Sequence, residues 1–321
     1  MISVIMSIYN EPIEWIQAAV DSILRQTYQD FEFIIINDNP SRADNTVFLE
    51  KIIKQDSRIN IYHNNENIGL AATLNYGISK AKGKYIARMD ADDISLPERF
   101  SIQIDFLEKN RNVGVCGSFA RIIDSNGNKK DRLTVRKKDI SLKKAIYFFC
   151  PFIHPTVMMR TDLVRNHKYD INSRTGEDWL LWRTLSPYTN FANISKILLY
   201  YRISSNNSIQ KAGKIKTIES RRYAAEKAFQ ESGLPPCLKP TYIKFSCQEK
   251  ISITEYETLF ESLYNLKELK RSRFYLMEYY QKNIVKYSID RLFRNRFIIK
   301  NPFLYLTVLS NSAKNKIISK V

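Results

Sequence analysis

Glycine is scarce, nine residues in 321, and neither G-x-x-x-x-G-K-[S/T] nor G-x-G-x-x-G occurs anywhere in the chain. A P-loop enzyme and an ordinary dinucleotide dehydrogenase are therefore disfavoured, because both need a glycine-rich turn to bring backbone amides against phosphate. The four cysteines, Cys116, Cys150, Cys237 and Cys247, show neither C-x-x-C nor paired zinc spacing. In a long chain without export features they are expected to be reduced thiols of the cytosol. No uncharged apolar run reaches the roughly 18 residues that a spanning helix needs. The first apolar run, Ile2 to Tyr9, is short, lacks a basic leader and alternates like a strand. The chain is accordingly expected to start at Met1 without a secretory signal. Acid is in deficit as well: 33 Asp and Glu against 50 Lys and Arg leave a net charge of +17, so the surface calls for an anionic partner.

What is present reads as a globular α/β protein, long enough for one large domain plus an appendage. Through about residue 120, short β-rich runs alternate with helical windows, the pattern of βαβ units and a largely parallel sheet. Strands are expected at 2–9, 31–37, 59–62 and 84–89, the second a continuous apolar run suited to a strand covered on both faces. Helices are expected near 14–26, 46–55, 70–80 and from Pro97 to about Lys109, proline being suited to a first helical turn. Further strands are read at 113–119, 155–160 and 196–203, with a helix at 177–185. From about Ala212 the chain turns helical, basic and rich in Tyr and Phe, with Gly233-Leu234-Pro235-Pro236 the clearest break. This places a catalytic domain at 1–210, with a nucleotide part to about 120 and an acceptor part at 121–210, and a helical basic region at 211–321.

The stretch Gly83–Phe100, "GKYIARMDADDISLPERF", places Asp90, Asp92 and Asp93 directly after an apolar strand. In a parallel sheet, ligands gather at the carboxyl ends of strands. Asp90 and Asp92 project to one side of an extended backbone and supply hard oxygen ligands suited to Mg²⁺ or Mn²⁺. The competing reading is an acidic helix start capped by Ser95. Asp38 likewise follows an apolar strand, either to accept from a nucleobase or a ribose hydroxyl or to make an ordinary Asx turn. Asn67 and Gly69 lead into a helix, which by itself reads equally as a plain loop and cap.

In combination, "SVIMSIYNEP", "SILRQTYQDFEFIIINDNPS", "NIGLAATLNYGISKAKGKYIARMDADDISLPERF" and "HPTVMMRTDLV" followed by "GEDWLLWRTL" resemble the family 2 glycosyltransferases of the GT-A fold over about residues 1–205. Bacterial enzymes that build O-antigen, capsular or exopolysaccharide units are the most similar. The resemblance implies a mostly parallel nucleotide-binding sheet flanked by helices. It implies that Ser7, Tyr9, Asn10 and Glu11 line the nucleotide pocket, with Asn67 beside it and Asp38 reading the base. Asn37 stands where the family has a second acid. Asp90 and Asp92 correspond to the D-x-D element that touches ribose and metal, Asp93 is a further ligand, and Arg88 either faces the diphosphate or pairs with a carboxylate. Asp178, with Glu177 beside it, resembles the general base of an inverting displacement. As plain structure, the same pair is a set of N-terminal helix acids, and Trp179 and Trp182 are read as core rather than as a sugar platform. His154 is either a donor-site residue or a satisfied structural histidine, and Arg202 is read as a surface cation.

The implied reaction moves a hexose or N-acetylhexosamine from a nucleotide sugar, most readily UDP-linked, to a hydroxyl of a glycan or lipid-linked acceptor. The alternatives are a sugar-nucleotide nucleotidyltransferase, whose glycine-rich N-terminal signature is missing from Ser3–Pro12, and a non-catalytic nucleotide-sugar-binding protein of the same fold. In residues 282–321, nine Lys and Arg stand against one Asp among Tyr, Phe, Leu and Ile. Such a face suits an anionic membrane surface, or else an oligomer contact or a plain solvated helix pair. Nucleic acid is not expected, since no nucleic-acid motif accompanies the charge. The location implied is cytoplasmic, peripheral on the inner membrane.

Overall fold

The computed structural model describes residues 1–146, 150–173, 176–203, 213–230 and 232–247, with a few isolated positions beyond them. The basic stretch 282–321 and the expected domain boundary at 210 lie outside the described residues. The chain divides into two compact units, Met1–Ala224 and Ala225–Val321.

The first unit is built on one mixed sheet. Strands β1 (Ile2–Ile8), β2 (Phe31–Asn37), β3 (Ile59–His63) and β4 (Tyr85–Asp90) are parallel in the order β3-β2-β1-β4. Their connections are the helices α1 (Ile13–Leu24), α2 (Ala43–Ile52) and α3 (Leu70–Lys80). Every residue of β2 is buried, as a strand with helices on both faces must be. The two-residue period divides the apolar side chains between two layers. Val4, Met6, Phe33 and Ile35 pack with α1, α2 and Phe100 and Leu107 of α4 (Arg99–Lys109). Ile5, Ile34, Ile36 and Ile86 pack with α3 and with residues of the later helices α6 (Thr161–Asn166) and α7 (Glu177–Leu185).

Beyond β4 the sheet stops being parallel. The three-residue strand β8 (Met158–Arg160) runs antiparallel between β4 and β6 (Val113–Ile123), and β6 pairs in parallel with β9 (Asn190–Arg202). A short β5 (Ile94–Ser95) pairs antiparallel with β9, and β7 (Lys129–Leu133) hangs on β6. Helix α5 (Asp139–Ala145) precedes the turn at His154–Thr156. Ser95 is therefore strand and not a helix cap, and α4 begins six residues after Asp93, so capping does not account for the three aspartates.

In the second unit the described residues include the helix Lys239–Ser246 and the edge-on packing of Phe229 against Tyr242 at 5.6 Å. Among the described residues no helix is long and apolar enough to cross a membrane.

Candidate active site

Because β1, β2 and β4 are parallel, their carboxyl ends share one edge, with Ile8 opposite Asn37 and Ser7 opposite Asp90. Asp38, one residue past β2, is buried, and its carboxylate accepts four hydrogen bonds from the segment entering α3. The donors are Asn64 Nδ2 at 2.8 Å and the Ile68 amide at 3.0 Å on Oδ1, and Asn67 Nδ2 at 3.2 Å and the Gly69 amide at 3.1 Å on Oδ2. Gly69 has φ +83°, a conformation in which a side chain would be strained, and that conformation accompanies the delivery of its amide to Asp38. On the neighbouring tip, Ser7 is half-buried and Tyr9 is exposed. Glu11 Oε2 accepts from the Tyr9 amide at 2.7 Å, and Asn10 Oδ1 accepts from Asn39 Nδ2 at 2.7 Å. Burial chiefly, with Asp90 adding, pushes the Glu11 carboxyl above its ordinary range.

Asp90, Asp92 and Asp93 bring their ligand oxygens within 4.8 Å of one another. Asp93 is buried; Oδ1 accepts from the Arg202 amide at 2.8 Å, while Oδ2 has no hydrogen-bond partner. Burial and then mutual repulsion raise Asp92 to about 7 and Asp93 well above its ordinary value. Arg202 corrects the surface reading. It is 4% exposed and gives Nε to the Asp92 carbonyl at 2.7 Å and Nη1 to the carbonyls of Asp124 and Ser125 at 3.1 Å. Its guanidinium lies over the Trp15 ring at 4.9 Å. The aspartate loop is thus clamped by the end of β9.

Arg88, two residues before Asp90 on the same face of β4, is 3% exposed and forms an ion pair with Asp90. Burial raises the carboxyls of Asp92, Asp93, Glu177 and Asp178 above their ordinary values, and the positive charge of Arg88 opposes that rise in each. Glu177 and Asp178 open α7, preceded by Gly176 at φ +81°, a left-handed residue that starts the helix abruptly. Asp178 Oδ1 accepts from the Trp179 amide at 2.7 Å and Oδ2 from Cys150 Sγ at 3.0 Å. His154 Nε2 shares a 2.8 Å hydrogen bond with Tyr169 Oη, and its Nδ1 lies 3.9 Å from Glu177 Oε1. Burial, reinforced by Arg88, holds His154 well below its ordinary value and so neutral. Burial, reinforced by Asp178, lifts Glu177 to about 8. Trp179 and Trp182 are core, 5% and 0% exposed.

The structure thus brings the two acid groups into electrostatic reach of one buried cation, and it places Asp38 and the Ser7–Glu11 strip on the same edge. Three contributing residues escaped the sequence reading. Cys150 and Tyr169 carry no motif, and Arg202 stands at the end of β9 as an exposed cation would.

One consequence concerns stability. A carboxyl whose folded pKa is raised gives stability that is complete below its unfolded value and is lost as pH climbs through its folded value. For Glu177 that window runs from 4.5 to about 8, and for Asp92 from 3.8 to about 7. The metal-free protein is expected to melt at falling temperature as pH rises through these windows, measured by scanning calorimetry. Saturating Mn²⁺ should flatten the lower part of that fall.

Residues 3–167 match the family described as Glycosyl transferase family 2. Over 216 residues the chain is 36% identical to the O-antigen biosynthesis glycosyltransferase WbnJ of Escherichia coli, covering 66% of this chain and 83% of the relative. S. aureus TarS, solved in complex with UDP-GlcNAc, superposes with a TM-score of 0.58 at 17% identity, over 81% of this chain and 79% of TarS. The mannosyltransferase PcManGT from Pyrobaculum calidifontis, solved with GDP-Man and Mn²⁺, gives a TM-score of 0.56 at 14% identity, over 98% and 86% of the two chains. At these identities the two structures establish a shared GT-A-like fold.

Proposed function

This chain belongs to glycosyl transferase family 2, and from that premise we propose that it is an inverting, metal-dependent enzyme of bacterial surface-polysaccharide assembly. It moves a hexose or N-acetylhexosamine from a UDP-linked donor to a hydroxyl of a glycan or lipid-linked acceptor. The observation that carries the reading is that one buried cation, Arg88, is paired with Asp90 of the Asp90/Asp92/Asp93 group and acts electrostatically on Glu177 and Asp178. The O-antigen role of the E. coli relative supports the pathway class, and the UDP-GlcNAc held by TarS supports the donor class.

Asp90, Asp92 and Asp93 fit a divalent cation. They offer hard oxygen donors, they repel one another when the site is metal-free, and Asp93 Oδ2 is buried without a partner. When bound, Mg²⁺ or Mn²⁺ offsets the negative charge that develops on the departing nucleoside diphosphate; the Mn²⁺ in PcManGT supports that assignment. The chain's own residues do the rest. Ser7, Tyr9, Asn10 and Glu11 line the nucleotide pocket, and Asp38 holds the 64–69 segment as its opposite wall. All four lone-pair positions of Asp38 are engaged, so a base imide N–H displaces the longest contact, that from Asn67 at 3.2 Å. His154, neutral and braced by Tyr169, faces the donor side without adding charge. Asp178 takes the proton of the attacking hydroxyl as the hydroxyl displaces the nucleotide from the opposite side of the sugar.

A panel of UDP-, GDP- and dTDP-sugars, each with Mg²⁺ or Mn²⁺, tests this by thermal shift. A UDP-sugar with metal is expected to stabilise the protein most, by about 2.7 kcal/mol at a hundredfold excess over Kd, and chelation should abolish the effect. Silence toward all donors would count against the enzyme reading.

A further inference from the structure

We propose that Cys150 is a positioning residue for the base, its thiol hydrogen bond keeping the Asp178 carboxylate ionised and fixed in orientation. The inference rests on the reading of Asp178 as the base and adds the group that tunes it.

Both oxygens of Asp178 are held, Oδ1 by the Trp179 amide of its own helix and Oδ2 by Cys150 Sγ at 3.0 Å. Each oxygen keeps a second lone-pair site, so the carboxylate is pinned against rotation and still open to an incoming hydroxyl. The thiol is itself well placed. Cys150 leads into Pro151, whose carbonyl accepts from Asn193 Nδ2 at 3.3 Å, and into Phe152, buried between Trp182 at 5.0 Å and Phe191 at 5.5 Å. Sγ has one hydrogen and two acceptors in reach, Asp178 Oδ2 at 3.0 Å and the Phe152 carbonyl at 3.4 Å. A charged acceptor at shorter range wins over a neutral one. The thiol therefore points at Asp178 while that residue is a carboxylate, and the Phe152 carbonyl receives it once Asp178 has taken the substrate proton.

The electrostatic setting makes such a donor useful. Glu177 stands beside Asp178 on α7, Arg88 faces it from β4, Tyr169 faces it from the segment before α7, and Cys150 completes the set. Burial raises the Asp178 carboxyl above its ordinary value, and Cys150 first, then the Trp179 amide and Arg88, limit that rise. Burial and the neighbouring carboxylate hold the thiol protonated, so it remains a donor throughout the working pH range. A hydrogen bond to the charged form of an acid favours that form, and Cys150 supplies one where water is largely excluded.

The test uses the full chain with Mn²⁺ and UDP-GlcNAc, following slow donor hydrolysis in which water takes the place of the acceptor. In Cys150→Ala the acidic limb of the kcat–pH profile is expected to move to higher pH. The loss on that limb is about three- to tenfold, as for removal of a weak donor to a charged group, with the alkaline plateau retained. Cys150→Ser, which restores a donor, should bring the limb back. A second readout needs no turnover. The Cys150 S–H stretching band, isolated as the infrared difference between wild type and Cys150→Ala, should lie at low wavenumber and rise in Asp178→Asn. Superimposable profiles for wild type and Cys150→Ala, or an S–H band unmoved in Asp178→Asn, would overturn the proposal. If Asp178→Asn hydrolyses donor normally, the base assignment falls and this inference with it. If that variant is inactive while the Cys150→Ala profile and the band are unchanged, only the role of Cys150 is rejected.

Discussion

Replacing Asp178 by Asn is expected to lower transfer by about 10²–10⁴-fold, the usual worth of a positioned general base, while nucleotide-sugar binding changes little. The amide is isosteric and keeps a carbonyl oxygen to accept from the Trp179 amide, which Asp178 Oδ1 now does at 2.7 Å. Its NH₂ group turns toward Cys150 Sγ, whose single hydrogen is free to rotate to the Phe152 carbonyl. The fold should therefore survive, and the loss should fall on kcat. Glu177→Gln is the informative control. With its carboxyl lifted to about 8 by burial and by Asp178, Glu177 is largely neutral at pH 7, and glutamine imitates that form. The expected loss is below about tenfold, since a proton-carrying neighbour is not the base. Steady-state kinetics of both variants with a UDP-sugar, beside donor affinity by calorimetry, separates the roles. Equal losses in the two would mean that the pair acts only as a unit of charge at the start of α7.

Much of the N-terminal parallel sheet is legible in the chain because its physics is local. β2 is a continuous apolar run up to Asn37 and β4 a mostly apolar one up to Asp90, so the acids Asp38 and Asp90 that follow or end them are conspicuous. The stretch after β4 is less legible because its order is tertiary. β8 is three residues long and runs antiparallel between β4 and β6, and nothing in Met158–Arg160 encodes that direction. Arg202 looks like a strand-end cation until Asp92, 110 residues away in sequence, and Asp124, 78 away, supply carbonyls for it. Cys150 has no spacing signal at all; its meaning comes from Asp178, 28 residues later. Asp38 departs in the other direction. The residue was readable, but its four hydrogen bonds to the 64–69 segment show that it ties the end of β2 to the entry of α3, a structural duty that the sequence did not reveal.

Arg88→Met is expected to be the most damaging single change to folding in the metal-free protein, and to be strongly pH-dependent. The guanidinium is 3% exposed and paired with Asp90, and removing one partner of a buried ion pair costs about 3–5 kcal/mol because the other charge is left uncompensated. Here more than one charge is left. Asp92, Asp93, Glu177 and Asp178 all draw on the same cation, so its loss raises their pKa values further. The sign follows. Near pH 5 Asp92 and Glu177, raised to about 7 and about 8, are largely protonated in wild type and variant alike, so the loss is mainly that of the Asp90 pairing and the packing of the side chain. Near pH 8 wild type holds Asp92, and Glu177 in part, ionised with the help of Arg88, and the variant must either protonate them against the solvent pH or let them repel. The gap between the two melting temperatures should therefore widen from pH 5 to pH 8, and Mn²⁺ should narrow it by supplying positive charge at Asp90, Asp92 and Asp93. A gap of constant size across that range, untouched by metal, would make Arg88 a packing residue. A variant that folds normally but binds donor poorly would assign the guanidinium to the diphosphate instead of to the carboxylates, the other role that its position in the sequence allows.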